Sequence, residues 1–285
     1  MPETETIMRE PGVYYGMSFA DYRRIDAVNH SLLWEMQTKS PKHALYYRDH
    51  PKEDTPALLI GRAAHSLILE PETFTEHWAV APAVDRRTKA GKAEWAAFVE
   101  QAGEKSVLSG NDYEAIEEMA KAIESQRLHR LVRTGKAEVV VVWVDDETGI
   151  LCKGRLDYLH QERGLFVIDF KTTEDARQGP FGYSIQKYGY FSQAAFYCMA
   201  CEALLEQTPG YTWLVAEKKP PYAVAAYQIQ AGTLNAGTEF CRRALSHYAR
   251  CLETDEWPGY PDDVVPIEMP QWAIDREMQI SQYMM

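Results

Sequence analysis

Three side chains in one short stretch have the types and spacing for phosphoryl chemistry. In "GRLDYLHQERGLFVIDFKTT", residues 154–173, Asp157 and Asp169 stand in two hydrophobic runs joined by a polar turn, and Lys171 follows the second acid by two positions. Side chains alternate faces along a strand, so Asp169 and Lys171 point the same way while Phe170 turns into the core. If each acid closes its strand, two carboxylates and an amine arrive together at one end of neighbouring strands. Hydrolysis of a phosphodiester requires neutralising charge developing on phosphorus, generating hydroxide near neutral pH and stabilising the leaving oxygen. Mg²⁺ held by carboxylates does all three. A two-metal site sets its ions about 3.5–4 Å apart and needs a shared carboxylate, the role for which Asp169 is placed. Lys171 would orient the attacking water or offset transition-state charge, and would act as a base only with a strongly lowered pKa. The rival reading makes each aspartate a solvated strand end with Lys171 as ion-pair partner. The joint pattern G-R-x-D, one turn, then hydrophobic-D-x-K-T favours the chemical reading.

Two further residues bear on such a site. His65 lies in the middle of "ALLIGRAAHSLILEP". A lone histidine on an apolar helix is more often a hydrogen-bonded core residue, but ahead of this meander a neutral imidazole could complete a carboxylate-rich metal site. Glu138, opening the first strand, would add a ligand or a hydrogen bond, or simply be a solvated strand end.

The elements that must position these residues change period along the chain. After a polar, mobile start, "SFADYRRIDAVNHSLLWEMQTKSPKHALYYRD" reads as short helices, with Ser31 capping one and Ser40-Pro41 starting the next. The helix from Ala57 stops at Pro71. A basic loop, "VAPAVDRRTKAGKAEW", leads into an amphipathic helix. Another helix follows, with Asn111 and Glu114 as a capping box and Gly135 as C-cap. Strands are then expected over 137–144, 150–159 and 165–171, a long helix over Ile185 to Glu206, strands in "YTWLVAEK" and "YAVAAYQIQ", and a last helix around "LNAGTEFCRRALSHYARCLE". The tail, with Pro258, Pro261, Pro266 and Pro270, reads as an extended strap. The expected organisation is one α/β domain over 1–285: a helical N-terminal part over about 12–135, a core with a central mixed sheet flanked by helices over about 136–254, and the tail over 255–285.

Composition bounds the function. Of 285 residues, 46% are hydrophobic, ample for a packed core. No apolar run reaches about 18 residues, and "MPETETIMREPG" lacks the basic and hydrophobic regions of a secretory signal, so a soluble, cytoplasmic protein without membrane contact is expected. The five cysteines are an odd number, and Cys198 and Cys201 sit in a helical pattern without a second pair at zinc spacing, which favours core packing. A net charge of −12 argues against an indiscriminately nucleic-acid-binding surface. It leaves room for a local basic channel. Arg86, Arg87, Lys89 and Lys92 gather in the basic loop, and Arg62 and Arg155 flank the candidate site residues. Each is a candidate contact to phosphate, against the alternative of a solvated loop, and Trp95 beside them could be ordinary core.

The order "GRAAHSLILE", "GRLDYL", "VIDFKTT" and "YFSQAAFY" resembles the RecB-like branch of the PD-(D/E)xK nuclease superfamily, and more closely the RecE-type exonuclease domain of phage and prophage recombination systems. The resemblance runs from about Gly12 to the last helix. It implies a restriction-endonuclease-like core in which His65, Asp157 and Asp169 bind metal, with the Phe170 carbonyl as a further ligand, and Lys171 is catalytic. Gln193 and Tyr197 match the family's Q-x-x-x-Y helix motif beside the active site, and a spacing of four does place them on one helix face. The cofactor implied is Mg²⁺, with Mn²⁺ able to substitute. No iron-sulfur cluster is expected, because the cluster-bearing subgroup has an N-terminal cysteine and none precedes Cys152 here. The implied activity is 5′ to 3′ digestion of linear double-stranded DNA, leaving 3′ single strands for a RecT-like single-strand annealing protein. The implied assembly is a ring-like homo-oligomer, a tetramer, with DNA in its channel. Rival readings on the same residues are an endonuclease, a single-strand nuclease and a catalytically silent DNA-binding adaptor.

Overall fold

The computed structural model describes residues 7–50, 55–162 and 164–283, so the first six residues of the polar start lie outside the described residues. Strand β1 (Gly12–Tyr14) precedes helices α1 (Phe19–Arg24), α2 (His30–Thr38), α3 (Pro41–Asp49), α4 (Pro56–Leu69) and α5 (Phe74–His77). Next come β2 (Trp78–Val80), α6 (Lys89–Ala102), β3 (Ser106–Leu108) and α7 (Gly110–Glu124). The expected meander is β4 (Lys136–Val144), β5 (Leu151–His160) and β6 (Phe166–Thr173). It is followed by α8 (Gln178–Lys187), α9 (Tyr190–Leu205), β7 (Gly210–Glu217), β8 (Val224–Gln228), α10 (Ala231–Thr254) and α11 (Gln271–Tyr283).

The main sheet has the order β1-β4-β5-β6-β7-β8, with only β6 and β7 parallel. That one parallel pair requires a crossover, and α8 and α9 supply it. Alternation along the strands then divides the core. Val139, Val141, Trp143, Leu156, Val167, Trp213 and Val215 pack against α9, α10 and α2, while Ile168, Phe170, Leu214 and Ala216 pack against α4 and α7. A mixed sheet with helices on both faces is the α/β architecture the sequence implied. Strands β2 and β3 form a separate parallel pair, and β1 adds an edge strand; neither was anticipated, because three-residue strands carry no readable period.

Several local expectations are corrected. Helix α2 is capped by Asn29, which accepts the Leu32 N–H at 2.9 Å, and not by Ser31. Helix α7 is capped by Ser109, whose Oγ accepts the Asp112 N–H at 3.1 Å, two residues ahead of the expected Asn111–Glu114 box. Gly135 is no C-cap, since α7 ends at Glu124 and a 3₁₀ turn intervenes. A Cβ there would meet the Leu159 carbonyl oxygen at 2.4 Å, so close strand approach is what demands glycine. The tail is extended only up to Pro270, after which α11 forms. The single helix expected over 185–206 is two helices, broken at Tyr188-Gly189. All five cysteines are buried thiols, as read. Among the described residues, no helix is long and apolar enough to cross a membrane.

Candidate active site

The site grows from a defect in the sheet. The pairs Ala137↔Tyr158 and Val139↔Leu156 bracket Glu138 and Asp157, which would face each other but form no ladder pair. Glu138 has φ +51°, a left-handed conformation that strains a side-chain-bearing residue by about 1–2 kcal/mol. Both strands change phase there: Val139 and Leu156 lie on the α9 side, whereas Ala137 and Tyr158 lie on the α4 side. On the other flank, β5 and β6 pair only from Tyr158↔Ile168 to His160↔Phe166. The next pair in that register would be Asp157 with Asp169. One row across three strands therefore holds Glu138, Asp157 and Asp169, at the point where the strands part.

The opened backbone is satisfied by the acid itself. Asp157 Oδ2 accepts the Phe170 N–H at 2.8 Å and lies 3.4 Å from His65 Nδ1. Asp169 is fully buried, with Lys171 Nζ 2.6 Å from its Oδ2, and its Oδ1 has no hydrogen-bond donor. Burial pushes the carboxyl of Asp169 up to about 6, against the pull of Lys171 and with a further push from Asp157. Burial likewise raises Asp157, opposed by Lys171 and by the Phe170 N–H. Burial lowers His65 to about 4, assisted by the charge of Lys171, so the imidazole is neutral at pH 7 and its contact with Asp157 is not an ion pair. Burial opposes the charge on Lys171, but Asp169 and Asp157 override it and the net shift is upward. Lys171 is thus an ammonium, which removes the lowered-pKa base from the roles open to it.

The remaining sequence candidates divide. Gln193 Nε2 donates to Tyr197 Oη at 3.3 Å, one turn along α9. Tyr197 also explains the glycine of the G-R-x-D motif, because a Cβ on Gly154 would lie 3.0 Å from its ring. Glu138 is 2.8 Å from Arg155 Nε, and burial raises the pKa of its carboxyl. The guanidinium groups of Arg155 and Arg62 both lie against the Phe19 ring, 5.2 and 5.0 Å from its centroid. Arg62 also covers Trp78 of β2, which leads to the basic loop. In that loop Arg86 stacks on Trp95 at 4.3 Å, Arg87 pairs with Asp85 at 3.0 Å, and Lys89 and Lys92 are exposed on α6. The loop is a solvated basic surface, and its link to the carboxylate row runs through Trp78 and Arg62.

Three participants were not anticipated. Tyr190 places its ring 4.8 Å from Lys171 Nζ. His30 Nε2 is 2.8 Å from Ser192 Oγ, which donates to the Gly189 carbonyl at 3.0 Å. Trp34 closes on Gly189, where a Cβ would fall 2.5 Å from the indole. Tyr190, Gln193 and Tyr197 are spaced three and four apart, so extending the Q-x-x-x-Y stripe backwards by one turn would have found the first of these.

Residues 29–265 match the family described as a PDDEXK-like domain of unknown function (DUF3799). The chain belongs to this family. The PDDEXK-like assignment agrees with the six-stranded mixed sheet and with the D…D-x-K pattern of Asp157, Asp169 and Lys171. Among solved structures, the chain is similar to an Eubacterium rectale protein given the provisional name of exonuclease, with TM-score 0.57 and 12% identity over 87% of this chain and 92% of that one. At that identity the likeness shows a shared fold. The structure of SSO0001, at TM-score 0.29 and 12% identity over 67% of this chain and 85% of that one, is too distant to carry an argument. No curated protein matches in sequence.

Proposed function

We propose that this PDDEXK-like chain is a metal-dependent, RecE-type deoxyribonuclease that digests linear double-stranded DNA from its ends, 5′ to 3′, and leaves 3′ single strands for a RecT-like annealing protein. The observation that carries the reading is the buried row of Asp157 and Asp169 with Lys171 and His65 beside it, on a PDDEXK-like sheet. The provisional exonuclease name of the Eubacterium rectale protein supports end-directed rather than internal cutting.

The donor set suits a hard divalent cation. Asp169 Oδ1 is a buried carboxylate oxygen without a donor, Asp157 stands next to it in the same row of the sheet, and a neutral His65 imidazole lies against Asp157; the Phe170 carbonyl would add a further donor. Among the described residues no three His, Cys, Asp or Glu side chains stand ready-grouped for a metal; Asp157 is engaged by Phe170 and His65, and Asp169 by Lys171. Lys171 offsets the charge of Asp169, while Asp157 has only the neutral Phe170 N–H and the neutral imidazole against it. Bound Mg²⁺, or Mn²⁺ in its place, supplies an activated water and neutralises charge on the phosphate. Asp157 and Asp169 hold it, with Glu138 as a further donor through the strained end of β4. Lys171, as an ammonium, aligns the water and offsets charge at the phosphate, while Gln193 and Tyr197 fix the inner wall. Arg62, Arg155 and the loop of Arg86, Arg87, Lys89 and Lys92 receive the backbone of the duplex. A ring-like tetramer would turn these few basic groups inward and hold DNA despite a net charge of −12.

The test is linear duplex labelled at the 5′ or 3′ end, with Mg²⁺ or EDTA, beside closed-circular duplex and the Lys171→Ala variant. Metal-dependent loss of the 5′ label from linear DNA alone, absent in the variant, is the expected result. Cutting of the circle would replace this reading with an endonuclease, and intact metal binding without hydrolysis would replace it with an adaptor.

A further inference from the structure

The helix break at Tyr188-Gly189 has a consequence on the outside of the protein. Gly189 at φ +70° starts α9 afresh, so Tyr190 turns inward over Lys171 while Tyr188, at the end of α8, stays 53% exposed. The two rings remain in contact, with centroids 5.7 Å apart. Lys187 Nζ lies 5.2 Å from the Tyr188 centroid. One turn back along α8, on the same face as Lys187, Tyr183 is 77% exposed. Lys171, Tyr190, Tyr188 and Lys187 thus form a continuous run of contacts, an ammonium at each end and two rings between, from the buried site to solvent, with Tyr183 one helical turn away on the same face.

Tyr183 and Tyr188 present most of their surface to solvent on a helix next to the buried carboxylate site. Every nucleobase has a face that stacks on an aromatic ring, and an ammonium beside the ring meets the flanking phosphate. A duplex keeps its bases stacked on each other, so a track of this kind selects nucleotides that are already unpaired. We propose that Tyr188, Lys187 and Tyr183 form a stacking track for the unpaired strand of the DNA substrate, beginning at the catalytic lysine. The proposal rests on the nuclease reading above and adds to it the class of nucleic acid held next to the scissile phosphate.

The experiment compares Tyr183→Ala/Tyr188→Ala with wild type and with Tyr188→Trp. Hydrolysis of a single-stranded 12-nucleotide DNA is measured beside hydrolysis of bis(4-nitrophenyl) phosphate, a diester with no neighbouring base to stack. The expected result is a fall of about tenfold or more in the ratio of kcat/KM for the oligonucleotide to that for the small ester, carried by KM, with Tyr188→Trp close to wild type. Thermal unfolding checks that both variants fold, which the exposure of these rings favours. An unchanged ratio, or a tryptophan variant as impaired as the alanine one, overturns the track and leaves the nuclease reading standing; the rings would then serve a protein partner. A wild-type protein that hydrolyses neither of these substrates nor the end-labelled linear duplex overturns both.

Discussion

Asp157 takes the backbone N–H of Phe170 at 2.8 Å in the first position past the last β5–β6 ladder pair, so a side chain does there what the neighbouring strand does elsewhere. The same carboxylate therefore has a structural duty beside the catalytic one proposed for it. A buried N–H left without an acceptor costs about 1–3 kcal/mol. Asp157→Ala should lose that much stability together with activity, whereas Asp157→Asn, whose amide oxygen still accepts, should unfold within a few degrees of wild type and yet hydrolyse DNA at least about 10²-fold more slowly. Thermal unfolding and hydrolysis rates on the two variants separate the duties.

Asp169 gives the opposite balance. Its carboxyl is buried and raised to about 6, so the metal-free fold holds that proton more tightly than the unfolded chain does. With the folded pKa above the unfolded value, the contribution is full below about pH 4 and is lost as pH rises through about 6. Asp169→Asn removes the penalty. In EDTA at pH 7 the variant should be more stable than wild type by on the order of 3 kcal/mol, with the difference vanishing towards pH 4, while hydrolysis with Mg²⁺ is abolished. Urea unfolding across that pH range measures it; a variant less stable than wild type at pH 7 would show that the contact with Lys171 outweighs desolvation.

Gly154 tests the inner wall. A methyl group there would sit 3.0 and 3.2 Å from the Tyr197 ring and 3.2 Å from Val141, all in packed surroundings. Overpacking of this kind costs about 1–3 kcal/mol. Gly154→Ala should destabilise by that amount and slow hydrolysis by displacing Tyr197 and its partner Gln193, without altering metal affinity measured by calorimetry. Loss of metal binding in parallel would place Gly154 in support of Asp157 instead.

The sequence made the site legible wherever chemistry and period coincide. Asp157, Asp169 and Lys171 stand in strands long enough to show alternation, and the strands begin and end within a residue or two of their expected limits. Glu138 was legible as a strand opening, but its left-handed backbone was not, since no residue type announces strain that the neighbouring strands impose. The burial of Asp169 was hidden for a related reason: it depends on Trp213, its register partner, and on α9 across the sheet, both distant in sequence. Helix caps were misplaced by two residues because "NHS" and "SGND" each offer several capping side chains, and tertiary packing selects among them.

The break between α8 and α9 was the costliest omission, and it supplies the last prediction. Apolar spacing continues through 185–206, so the pattern reads as one helix, yet Gly189 at φ +70° redirects the chain. Trp34 fills the space a side chain would need, and His30 fixes Ser192 one turn on, with the chain before α2 pinned by the Val28–Cys152 bridge. The N-terminal helices thus hold the corner that keeps Tyr190 against Lys171. Gly189→Ala meets both the left-handed backbone, about 1–2 kcal/mol for a residue with a Cβ, and the indole at 2.5 Å. Trp34→Ala in the same chain relieves the second term only. Gly189→Ala should therefore be strongly destabilised, Gly189→Ala/Trp34→Ala less so than the sum of the single changes, and each should lower kcat through the loosened Tyr190–Lys171 contact. A double-mutant cycle on unfolding free energy checks the coupling; strict additivity would mean that Trp34 does not brace the corner.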